Sequence, residues 1–69
     1  MSVRRQGVIS DYGSLEAYRT HVVAGRDACA ARLRAAVNAP DQAGPLLWEM
    51  ADWEVDLEWV DAELARDAA

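Results

Sequence analysis

His21 is the only histidine of the chain and Cys29 its only cysteine, so acid–base or nucleophilic chemistry would have to start from these two. A nucleophile needs a base within hydrogen-bond reach, and a metal needs several converging ligands. On one helix their separation is about two turns, too far for a Cys–His pair within one chain. Cys29 is therefore expected as a small buried apolar side chain. A lone cysteine cannot form an internal disulfide, and no Cys/His cluster offers a structural zinc site.

Carboxylates are the other group with chemical potential. Di-iron helical bundles use Glu-x-x-His on facing helices, whereas Glu16 is followed at that spacing by Arg19. Calcium loops place oxygen ligands around a central glycine, and no glycine follows Gly44. Glu49, Asp52 and Asp56 share a helical flank and would hold a divalent ion loosely at best. A solvated or arginine-paired acidic face is the expectation, with no catalytic, cofactor or metal site. Arg4 and Arg5 lack the aromatic or glycine framework of a phosphate site and are expected in a solvated tail.

The acidic residues belong to the stretch that dominates the chain, Pro45 to Arg66, which also holds all three tryptophans. At 100° per residue Leu46, Met50, Trp53, Leu57, Val60 and Leu64 fall on one heptad stripe. Trp48, Val55, Trp59 and Ala62 fall nearly opposite, with Ala51 at their edge. Carboxylates run between the two stripes, Glu49, Asp52, Asp56 and Glu63 on one side and Glu54, Glu58 and Asp61 on the other. A surface helix normally has a polar back; two indoles there point to a second contact surface, the alternative being that the N-terminal arm folds back and covers them through Val8, Ile9 and Tyr12. From Ala51 to Trp59 the pattern also alternates with the period of a strand. Acidic residues are depleted in strands, and the heptad continues on both sides, so helix is the prediction.

Upstream, Ser14 is the predicted N-cap of a first helix that runs to Asn38 and stops before Pro40. Its seam is Leu15, Tyr18, Val22, Cys29, Leu33 and Ala36. The alanines at 17, 24, 28, 31 and 35 lie behind it, and Gly25 interrupts it. Gly25 marks either a weak point or the close approach of a bulky neighbour such as a tryptophan. Residues 39–44 have turn composition, and Pro45 suits the first position of a second helix over 45–67. So short a connector predicts an antiparallel helical hairpin over 14–69. Residues 1–13 contain Gly7, Gly13 and the turn-like Ser10-Asp11-Tyr12 and are predicted to form an extended arm. The predicted fold is all-α.

At 69 residues the chain makes one small domain whose core is marginal alone. Oligomerisation or docking is the remaining source of stability. Net charge is −5, split unevenly. Residues 1–38 have six arginines against Asp11, Glu16 and Asp27, and residues 39–69 have Arg66 against nine carboxylates. Halves of opposite sign attract, setting Arg19, Arg26, Arg32 and Arg34 near the acidic rows. The acidic half would repel nucleic acid. No hydrophobic run suggests a signal peptide or a membrane span, so a cytoplasmic location is expected, or a virion if the chain is phage-derived. Seven arginines without a lysine suit a high-GC bacterial or phage origin.

The expected function is a non-enzymatic interaction protein: an assembly, adaptor or accessory subunit. It would bind a protein partner or itself through Trp48, Val55, Trp59 and Ala62, flanked by Asp52 and Glu58. The alternative is an acidic inhibitor or nucleic-acid mimic that occupies a basic site with Asp52, Glu54, Asp56, Glu58 and Asp61.

Overall fold

Serine caps and one left-handed glycine set the boundaries of the first two helices. The computed structural model describes residues 2–69, and they form α1 Val3–Tyr12, α2 Leu15–Ala35 and α3 Pro40–Ala68. Helix accounts for 88%, with no strands among the described residues. Ser2 Oγ accepts the Arg5 N–H at 3.1 Å and Ser14 Oγ accepts the Ala17 N–H at 3.0 Å. Each bond satisfies a donor that the first turn would leave orphaned. Between them Gly13 adopts φ 91°, open to glycine at no steric cost, and its N–H donates to Ile9 O at 2.8 Å.

The extended arm expected over 1–13 is thus a helix from Val3 onward, and Met1 lies outside the described residues. Gly7 costs α1 about 1 kcal/mol relative to alanine. Tertiary contacts outweigh that cost, because Val8 and Ile9 pack on the core and Arg4 and Arg5 pair with α3. The connector expected at 39–44 is also corrected. α2 stops at Ala35, where the Ala36 N–H reaches both Arg32 O and Leu33 O. α3 starts at Pro40, so Pro45 lies inside it. Pro40 is a better first position than Pro45 because its fixed φ and missing N–H cost nothing there. Pro45 forfeits one bond, close to an end where several are absent anyway.

α2 and α3 pair along their length with descending register. Arg32 meets Glu49, Gly25 underlies Trp53, and Arg19 meets Asp61 at 2.6 Å, so the partners rise along α3 as they fall along α2; near the Arg32 end the Cys29 thiol also donates to Leu46 O at 3.3 Å. The two helices therefore run in opposite directions. Leu15, Tyr18 and Val22 of α2 and Leu57 and Val60 of α3 form the buried cluster, with Val8, Ile9, Val23, Trp53, Trp59 and Leu64 packed around it. Cys29 and Ala36 are buried at the opposite end. α1 lies on α2 and reaches α3 through its arginines. The result is a rod of 44 × 22 × 16 Å.

Candidate interaction face

The α3 residues that pack inward take up the heptad stripe and leave the opposite face open. Trp48 is 78% exposed, Val55 60% and Leu47 59%, and Ala51 and Ala62 are exposed beside them. Leu47 was not singled out from the sequence. Its position four residues before Ala51 and eight before Val55 was the available signal, since that spacing puts it at the edge of the same face.

Trp59 departs from the expectation. It is half-buried rather than part of the open face. Arg4 lays its guanidinium over the indole, 4.1 Å from the ring centroid, and Tyr18 meets the ring edge-to-face at 6.1 Å. The same guanidinium donates from Nη2 to Asp56 Oδ1 at 2.8 Å. The cause is α1, which as a helix covers one shoulder of α3. Of the residues expected to bind a partner, Trp48, Val55, Ala62, Asp52 and Glu58 remain on one exposed surface, and Trp59 is diverted into intramolecular packing.

The carboxylates divide in the same way. Glu63 is only 8% exposed and is held by Arg5 Nη1 at 2.8 Å and Arg66 Nη1 at 3.3 Å. Arg5 also donates from Nη2 to Asp67 at 2.6 Å. Hydrogen bonds to Asp67 and Glu63 raise the Arg5 pKa above its ordinary value, holding the guanidinium in its charged form. Glu49 accepts from Arg32 and, at 3.3 Å, from Trp53 Nε1. Asp52, Glu54 and Glu58 are exposed and have no ion pair or hydrogen bond among the described residues. On the cationic side, Arg19 and Arg32 reach α3 as expected. Arg26 contacts only its neighbour Asp27 at 3.5 Å, and Arg34 pairs with nothing among the described residues.

Among the described residues no buried side-chain nitrogen or oxygen lacks a hydrogen-bond partner. His21 lies against Tyr12 at 5.0 Å and Trp53 at 5.6 Å, an aromatic contact that ties α1, α2 and α3 together. Cys29 is fully buried, and that burial, followed by hydrogen bonding to Glu49, pushes its thiol pKa up. A raised pKa disfavours the thiolate that nucleophilic chemistry would need. A cleft of about 260 Å³ is lined by Ser2, Arg5, Glu63 and Arg66, and within it Glu63 accepts from both arginines. Among the described residues no group of three or more His, Cys, Asp or Glu side chains could hold a metal ion, and no helix is long and apolar enough to cross a membrane. No protein-family model, curated protein or solved structure matches the chain.

Proposed function

We propose that this protein is a non-enzymatic interaction module, an adaptor or accessory subunit whose working surface is the outer face of α3. One observation carries the reading: Trp48, 78% exposed, stands with Val55 on the outer face of α3, with Leu47 exposed at its edge, after the molecule has folded all three of its helices. Exposed apolar ridges rimmed by polar residues mark contact surfaces, and tryptophan is enriched among the residues that dominate binding energy. A partner on this ridge would complete a helical bundle that the chain alone leaves one layer short.

The acidic-inhibitor reading relies on a ladder of five carboxylates. Asp56 and Asp61 are engaged by Arg4 and Arg19, which leaves Asp52, Glu54 and Glu58 for a target. Three charges beside an apolar ridge support a mixed interface better than an electrostatic mimic.

The test is affinity isolation of the tagged full chain from cells, comparing wild type with Trp48→Ala and Arg34→Ala. A discrete protein should co-purify in fixed ratio with wild type and Arg34→Ala and be lost from Trp48→Ala. Equal recovery by all three forms would overturn the assignment of the α3 face.

A further inference from the structure

The open ridge has a definite length, relief and border. From Trp48 to Ala62 it extends about 21 Å, or four helical turns. Along it the large Leu47, Trp48 and Val55 alternate with the small Ala51 and Ala62, a relief into which the side chains of a second helix can interdigitate. Its border is anionic on both sides: Asp52 on one, Glu54 and Glu58 on the other, all exposed and without counter-ions among the described residues. Glu54 and Glu58 are four residues apart, a spacing at which like charges disfavour an isolated helix. Cations beside them would remove that penalty.

We infer that the occupant of this face is a cationic amphipathic helix of another protein, about four turns long, with lysine or arginine on both sides of its apolar stripe. The inference rests on the proposed docking role and names the chemistry of the partner. A second copy is a poor occupant, because joining two such ridges sets carboxylates against carboxylates. Four of the seven arginines, Arg4, Arg5, Arg19 and Arg32, are committed to Asp56, Glu63, Asp61 and Glu49, Arg66 is held by Glu63, and Arg26 and Arg34 stand on α2 rather than beside the ridge. Nucleic acid and anionic lipid surfaces are repelled by the same border.

The probe is a synthetic helical peptide of about 18 residues with leucine at heptad core positions and lysine beside them, and a glutamate-flanked counterpart as control. Calorimetry on the full chain should show binding of the lysine peptide and none of the glutamate peptide, with affinity falling in about 0.5 M NaCl. Asp52→Asn/Glu54→Gln/Glu58→Gln should weaken binding about tenfold or more. Asp11→Asn/Glu16→Gln/Asp27→Asn removes the same charge from α1 and α2, away from the ridge, and should bind like wild type. Both triple variants change exposed side chains, and circular dichroism checks that each stays folded.

Equal weakening by the two triple variants would reduce the effect to non-specific attraction and overturn the inference. So would equal binding of the glutamate peptide, or a dimer in light scattering that Trp48→Ala dissociates. If a native partner depends on Trp48 yet tolerates the triple substitution on the ridge, the cationic assignment falls while the docking role stands.

Discussion

Gly25 and Gly7 are both helical glycines, and the structure gives their replacement opposite signs. A Cβ at Gly25 would lie 2.6 Å from Trp53 Cε2 and Cη2, whereas a Cβ at Gly7 meets nothing within 4 Å. Alanine improves helix propensity by about 1 kcal/mol at either site. At Gly25 that gain is smaller than the cost of displacing a ring packed between two helices, since overpacking typically costs about 1–3 kcal/mol. Gly25→Ala should therefore destabilise by about 0–2 kcal/mol, and Gly7→Ala should stabilise by about 0.5–1 kcal/mol. Denaturant midpoints measure both, and a stabilised Gly25→Ala would show that the indole does not need the glycine. Cys29 gives a pH signature. Its folded pKa lies above the ordinary thiol value of 9.0, so its contribution is fully present below that pH and is lost as pH rises through the folded value. Unfolding free energy between pH 8 and 10.5 should fall more steeply in wild type than in Cys29→Ala. Parallel curves would mean that the thiol ionises in the fold as easily as out of it.

α1 is the element whose structure depends least on its own sequence. Gly7 within it, Gly13 just after it, its paired arginines and its turn-like end read as an arm. What makes it helical is remote: Arg5 meets Glu63 and Asp67, and Arg4 meets Asp56 and Trp59, all more than fifty residues away. Local pattern cannot report such pairs: covering of Trp59 by the N-terminal segment was a readable alternative through Val8, Ile9 and Tyr12, but Arg4 as the covering group was not. The inward stripe of α3 was legible, because Leu57 and Val60 recur at heptad spacing and both are buried. So was the exposure of Trp48 and Val55, which follows from the same wheel once one stripe is assigned to the core. The start of α3 differs from expectation because two prolines suit one first-turn position, and the Gln42 and Ala43 N–H groups donate to Ala39 O so that the helix begins at Pro40. The dependence of α1 on remote charges predicts that Arg5→Ala leaves Glu63 with Arg66 alone and frees the N-terminal helix. Amide exchange should show protection in α1 falling about tenfold or more while central α2 and α3 keep theirs. Uniform loss across all three helices would mean that Arg5 supports the whole core. No change would mean that Val8 and Ile9 suffice to hold α1.

For the whole molecule, three helices leave more surface than a chain of this mass normally keeps. The accessible area is 4727 Å², against about 4,300 Å² expected for a compact monomer. The radius of gyration is 14.3 Å, against about 11 Å for a compact domain of this length. The fully enclosed side chains are small, Val22, Val60 and Cys29, so the stability of the isolated chain should lie at the low end for a small domain. Its thermal midpoint is expected at about 45 °C or below. The midpoint should not move over a hundredfold dilution, because the unpaired Asp52, Glu54 and Glu58 oppose self-association through α3. A partner that binds only the folded chain adds about 2.7 kcal/mol at a hundred times its dissociation constant. At about 4–8 °C per kcal/mol for a domain of this size, that is a rise of roughly 10–20 °C. The lysine-flanked peptide should produce such a rise in wild type and little of it in Trp48→Ala, which itself should melt within a few degrees of wild type because its side chain is exposed. A midpoint that climbs with protein concentration would identify a second copy as the missing layer. One above about 65 °C without any partner would show that three helices with a small core are sufficient alone, and would remove the energetic reason for a docked fourth.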